Sequence, residues 1–147
     1  MKRILLILSF LSFFLVTDLL SQSKRAEDFY LQGFYMLRDG KYEDAVVEFK
    51  KAQEINPNYA KAYYYCGIAF IELKKYNECF AEFENALLNQ PDYADVYYKM
   101  GMLYFDLGNT EKALENLNLA IKNNPNYDEA FNSRGEKIGR ASCRERV

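Results

Sequence analysis

The side chains able to do chemistry are few in kind. The 147-residue sequence has no histidine, three cysteines and thirteen tyrosines. Without imidazole, the usual base for a Ser or Cys nucleophile is missing, and so is the commonest metal ligand. Only carboxylate chemistry would remain for an enzyme. A non-catalytic chain is therefore expected, with no metal, no cofactor and no small-molecule substrate. Cys66 and Cys79 could bridge in an oxidising compartment. The plainer expectation is two small buried side chains, because a bridge needs Cα atoms within about 7 Å and suitably aimed Cβ vectors. Cys143 lies in a C-terminal tail treated below. That leaves tyrosine, and what positions it.

The positions are periodic. Gly33, Gly67, Gly101 and Gly135 are each 34 residues apart, as are the only three prolines, Pro57, Pro91 and Pro125. The text around them repeats as NPNYAKAYYYCG, QPDYADVYYKMG and NPNYDEAFNSRG. Self-similarity at a fixed period of this size marks a stacked-repeat architecture. Each unit reads as two helices. In the first unit Phe29, Gly33 and Met36 recur at helical spacing and Gly40 breaks the pattern; a second helix runs through Ala45, Phe49 and Ala52 and stops before Pro57. Proline disfavours the α conformation in the residue before it, so Asn56, Gln90 and Asn124 are expected helix ends. Asn58, Asp92 and Asn126 are expected to cap the next helix, with Asp95 and Glu129 in its first turn and Glu43, Glu78 and Glu111 near the start of each second helix. Gly33, Gly67 and Gly101 are expected to meet Ala45, Cys79 and Ala113 at a close antiparallel approach. The bulkier Phe29, Tyr63, Tyr97, Phe49, Phe83 and Leu117 would then fill the wider ends.

This pattern resembles the tetratricopeptide repeat, or TPR. The resemblance rests on Ala45, Phe49, Ala52 and Pro57, repeated as Cys79, Phe83, Ala86, Pro91 and as Ala113, Leu117, Ala120, Pro125. Gln32, Cys66 and Met100 depart from the usual Leu of that family. The resemblance implies an all-α fold, an α-solenoid of antiparallel helix-turn-helix units wound as a right-handed superhelix. Its repeats fall at residues 26–59, 60–93 and 94–127, with the opening of a fourth at 128–137.

The resemblance also implies a concave surface lined by the first helix of each unit, at the second, fifth, ninth, twelfth and thirteenth positions. The fifth, ninth and twelfth give Tyr30, Phe34 and Leu37, then Tyr64, Ile68 and Ile71, then Tyr98, Met102 and Phe105. Arg38, Glu72 and Asp106 follow at the thirteenth, with Glu27, Lys61 and Asp95 at the second. Such a surface suits a protein or peptide partner offering an amphipathic helix or an extended apolar segment. The alternative is that these side chains only pack the inner face. Family members that grip a chaperone's C-terminal carboxylate use Lys and Asn at the fifth and ninth positions; here these hold Tyr, Phe, Ile and Met, so no such clamp is expected.

The two ends read differently. Lys2 and Arg3 precede a thirteen-residue apolar run over residues 4–16, interrupted only by Ser9 and Ser12, and Ser21 and Ser23 stand at −3 and −1 of a cleavage after Ser23. This is the pattern of a secretory signal peptide, residues 1–23. The run falls short of the roughly 20 residues that cross a bilayer, although an uncleaved anchor extended through Leu19 and Leu20 is the competing reading. Membrane association is expected only through such an uncleaved signal. An exported chain, periplasmic or envelope-associated, follows. Residues 24–137 carry 14 basic against 19 acidic side chains, a net of −5 with no basic stripe. That argues against nucleic acid, whose phosphates require clustered cations.

At the C-terminus, IGRASCRERV over residues 138–147 has no apolar stripe and places Gly139 where a helix should continue. Reverse translation from the second base of the Lys137 codon is compatible with a common sequencing-library adapter. The segment is therefore expected to be a non-native tail. Three functions compete: an interaction scaffold, the N-terminal TPR part of a larger exported enzyme or sensor, and a structural spacer.

Overall fold

The computed structural model describes the backbone of residues 2–144 and the side chains of residues 20–136. The side chains of the leader's residues 1–19 and of the 138–147 tail lie outside the described residues. Among the described residues there are seven helices and no strand: α1 (Lys2–Arg38), α2 (Tyr42–Ile55), α3 (Ala60–Glu72), α4 (Tyr76–Asn89), α5 (Ala94–Asp106), α6 (Thr110–Asn123) and α7 (Asp128–Arg144). The fold is an all-α helical repeat of the solenoid class. It comprises two compact units, Met1–Cys79 and Phe80–Val147, with the boundary inside α4. In the first unit α1 packs on α2 and α2 on α3; in the second α5 packs on α6 and α6 on α7.

The turns within each helix pair share one construction. Lys41, Lys75 and Asn109 donate their backbone N–H to the carbonyls of Met36, Phe70 and Tyr104 at 2.9, 2.9 and 2.8 Å. Gly40, Lys74 and Gly108 donate to Leu37, Ile71 and Phe105 at 3.1, 2.9 and 2.9 Å. This double closure satisfies the last carbonyls of the helix and requires a left-handed residue at its pivot. Gly40 has φ +77° and Gly108 φ +80°, which glycine adopts freely; Lys74 is held at φ +57°.

The connections between pairs are set by proline. Asn56 and Asn124, each before a proline, are extended at φ −128° and −134° and end α2 and α6 as expected. The caps expected at Asn58, Asp92 and Asn126 form differently. The residues entering α3 and α5 are Tyr59 and Tyr93, and neither makes a side-chain cap. Instead Asn56 Oδ1 accepts from the N–H of Asn58 at 3.1 Å, and Asn124 Oδ1 from that of Asn126 at 3.2 Å. The asparagine before the proline thus folds the turn from its near side, a local bond that Asn and Asp make readily. Glu43, Glu78, Asp95, Glu111 and Glu129 do lie in the first turns of their helices.

Helix contact in the first unit is tighter than the sequence suggested. A Cβ on Gly33 would lie 2.8 Å from both Cδ1 and Cε1 of Phe49, whose side chain is fully buried. Phe49 therefore does not fill a wider end; its ring lies over the glycine. In the second unit a Cβ on Gly101 would meet Leu117 Cγ at 3.0 Å and the Ala113 carbonyl oxygen at 3.1 Å. Ala45, Ala52, Ala113 and Ala120 are also fully buried. Cys66 and Cys79 are not bridged and both are fully buried, in keeping with the plainer expectation.

Two helices run further than the sequence boundaries implied. α1 continues unbroken through the 23/26 junction, because residues 17–32 contain neither glycine nor proline. α7 continues to Arg144, so Gly139 does not interrupt it. One interior glycine costs a helix only about 1 kcal/mol relative to alanine. Among the described residues no helix is long and apolar enough to cross a membrane.

Two stability outcomes follow. Lys74→Gly relieves a left-handed pivot and is expected to stabilise the chain by about 0.5–1 kcal/mol, seen as a higher melting temperature by circular dichroism. Gly108→Ala should move it the other way. Gly33→Ala forces the buried Phe49 ring to shift and is expected to cost about 1–3 kcal/mol in denaturant unfolding. Part of that loss should return on adding Phe49→Leu. A Gly33→Ala chain as stable as the parent would show that the two helices separate at little cost.

Candidate partner-binding surface

In the first unit the fifth- and ninth-position side chains belong to an aromatic cluster. Tyr30 lies 5.3 Å from Tyr59, 5.6 Å from Tyr65, 6.1 Å from Phe49 and 6.4 Å from Phe34, ring centre to ring centre. Phe34 meets Tyr65 edge-on at 5.3 Å and 89°, and Tyr64 meets it at 5.0 Å and 76°. Tyr65 also stacks on Phe49 at 6.2 Å and 27°. Edge-to-face and offset pairs at these separations are favoured by the ring quadrupole. Tyr65 is the hub that joins α1, α2 and α3.

The expected surface residues differ in how much they offer to solvent. Tyr64 is buried, at 8% exposure. Tyr30, Phe34, Leu37, Ile68 and Ile71 are half-buried, and Arg38 and Glu72 are exposed. The Arg38 guanidinium lies 5.4 Å from the Tyr35 ring centre and 3.9 Å from the Asp39 carboxylate. Burial, and then the nearby Glu27 carboxylate, raises the Tyr59 phenol above its ordinary pKa.

The second unit repeats part of this. Tyr98 packs on Tyr127 at 5.1 Å, the same pairing as Tyr30 with Tyr59 two periods of the pattern later. Its hydroxyl is 3.5 Å from Ser133 Oγ, and the Lys99 ammonium lies 5.8 Å from its ring centre. Met102 and Phe105 are half-buried and Asp106 is exposed. Tyr98 is thus tied to α7 as well as facing outward.

Three tyrosines matter here that the sequence reading did not assign to the surface. Tyr59 and Tyr127 had a signal, since both follow a proline by two residues in every unit, but that spacing read only as a repeat marker. Tyr65 had none: the residues 34 before and after it are Leu31 and Lys99, so periodicity passes over it. Among the described residues no group of three or more Cys, Asp or Glu could hold a metal ion. The arrangement is one of rings and aliphatic side chains edged by charge, and its chemistry is that of contact.

Comparison with known proteins places this geometry. A model described as a TPR repeat matches residues 37–74, and a tetratricopeptide-repeat model matches residues 94–127. No curated protein matches the sequence. Among solved structures, MamA is similar at 26% identity and a TM-score of 0.74, over 82% of this chain and 71% of that one. YrrB, described as a TPR protein with an unusual peptide-binding site, is 26% identical with a TM-score of 0.70, over 76% of this chain and 57% of its own. The first TPR of Spaghetti (RPAP3), solved with the HSP90 peptide SRMEEVD, is 22% identical with a TM-score of 0.75, over 82% and 95%. TPR domains are in general non-catalytic scaffolds for protein interaction. Two repeat models match on its own sequence, on a fold shared with these structures, so residues 37–74 and 94–127 of this chain carry the tetratricopeptide-repeat pattern.

Proposed function

We propose that this chain is an exported, non-catalytic interaction scaffold that holds a helical or extended apolar segment of a partner protein. The carrying observation is the incomplete burial of Phe34, Leu37, Ile68 and Ile71 in one unit and of Met102 and Phe105 in the other. These are large apolar side chains left part-open beside exposed Arg38, Glu72 and Asp106. Covering one aromatic side chain removes about 150–250 Å² from water, whereas an exposed ion pair contributes about 0–1 kcal/mol. Affinity would come from the apolar side chains, and the charges would set orientation. The half-buried Tyr30 and Tyr98 would contribute what their ring contacts leave open, and the buried Tyr64 would support the surface from beneath.

Peptide binding by YrrB and RPAP3 supports a peptide or protein ligand. An acidic C-terminal peptide of the SRMEEVD kind is not the expected ligand, because the fifth and ninth positions offer no cation or amide. Export rests on the leader's sequence: a basic start, a short apolar run and small residues before residue 24. Mass spectrometry of the chain from the cell envelope should find Lys24 as its first residue. A chain beginning at Met1 would favour the uncleaved anchor.

The binding reading is tested with Ile68→Asp and Met102→Asp in one chain, positions outside the ring contacts described above. The folded variant should retain the helical signal and melting temperature of the parent. Its affinity for the partner captured by the parent from envelope extract should fall about tenfold or more, the equivalent of about 1.4 kcal/mol. Undiminished capture by a folded variant would refute this surface as the binding site.

A further inference from the structure

α1 carries a second exposed stripe, which shares only Arg38 with the surface above. Leu31 is 40% and Tyr35 52% exposed. One period on, the same positions are Tyr65 and Ala69. Tyr65 packs on Tyr30, Phe34 and Phe49 of the preceding helix pair, and Ala69 is fully buried. Two periods on, Lys99 is half-buried and Leu103 is 5% exposed. In the repeat register this is a stacking face, and on α1 it is open.

Its ends are charged. Asp28, exposed, stands one turn before Leu31, and Arg38, its side chain 67% exposed and its guanidinium against the Tyr35 ring, stands one turn after Tyr35. The spacing 28, 31, 35, 38 is that of a helix-pairing seam. Read antiparallel against itself, Asp28 meets Arg38 and Leu31 meets Tyr35, and the two-fold axis repeats both contacts. A parallel pair would put Asp28 on Asp28 and Arg38 on Arg38. An antiparallel pair shifted to set Leu31 on Leu31 would bring Lys24 to Arg38. One register alone of these three joins opposite charges across an apolar centre.

We propose that the occupant of this face is a second copy of this chain, packed α1 against α1 as an antiparallel two-fold pair. Such an interface is isologous and closes at two copies. Exposed ion pairs are weak, so Asp28 and Arg38 select the register while Leu31 and Tyr35 supply the cohesion. The apolar centre is small beside the roughly 800 Å² per partner of a standard interface, which makes the pair concentration-dependent. Antiparallel pairing sends the two N-terminal segments in opposite directions, so it joins chains in solution and not side by side in one bilayer.

The test is sedimentation equilibrium of the full chain in density-matched detergent at low salt. The parent should show a dimer fraction that rises with concentration. Asp28→Arg and Arg38→Asp should each weaken association by about fivefold or more, because each reversal acts twice across the axis. The double variant Asp28→Arg/Arg38→Asp should recover the parent's association. Tyr35→Glu, or Tyr35→Ser where the former lowers the melting temperature, should be monomeric at all concentrations used. A monomeric parent overturns the proposal. So does association that survives the single reversals, as self-association through the apolar leader would, and so does a double variant that stays monomeric.

Discussion

The approach of Phe49 to Gly33 sets the scale of the first unit. A fully buried phenyl ring lying where a Cβ would stand at 2.8 Å leaves no room for any other residue at that point of α1. The ring is then available from its other side. Tyr30 and Tyr65 both pack on it, at 6.1 and 6.2 Å. One side chain of α2 thereby fixes its own partner helix and the helix of the next pair. The alanines at positions 45 and 52 permit the same closeness along α2, where any larger side chain would hold the helices apart. In the second unit Leu117 takes the role against Gly101, with the Ala113 carbonyl as a backbone stop.

Much of this was legible in the sequence because the period repeats the constraint. Pro57, Pro91 and Pro125 dictate an extended residue before them, and the helices end there. Gly33 and Gly101 recur because the α1/α2 and α5/α6 pairs each need one close approach. What periodicity could not show was which side chain comes closest. Phe49 and Ala45 are both on the inner face of α2, and only packing decides that the ring, not the methyl group, covers the glycine. The caps failed for a related reason. An Asn lies on both sides of Pro57, at 56 and at 58, and both can fold a turn. The preceding one wins because proline already holds it extended, which leaves its side chain beside the N–H two residues on. Lys74 was hidden because a left-handed pivot is marked by glycine in the first and third units, and the second unit spends a lysine there.

The surface was less legible than the fold. The structure leaves Phe34, Ile68, Met102 and Phe105 part-exposed and buries Phe49 and Leu117 fully. The sequence reading placed the tyrosines at positions 30, 64 and 98 on the concave surface beside them. In the structure each is engaged: Tyr30 with four other rings, Tyr64 with Tyr65, Tyr98 with Tyr127 and near Ser133. Tyr65, the residue joining them in the first unit, belongs to no periodic series. A residue that appears once in an array is the one a repeat analysis is least able to see.

On the proposed reading, binding and folding would share side chains in this protein and divide the work by position. The tyrosines at positions 30, 64 and 98 each contact a neighbouring ring, and burial and Glu27 raise the Tyr59 phenol above its ordinary pKa. Changing such a ring disturbs the stacking of α1, α2 and α3 as much as any ligand. The aliphatic positions Leu37, Ile68 and Ile71 and the exposed Arg38 and Glu72 are free of that constraint, because the ring cluster does not need them. If the proposed surface binds a partner, its preference could change at the aliphatic and charged positions while the aromatic cluster holds their geometry. Specificity would then belong to the residues that the fold can spare.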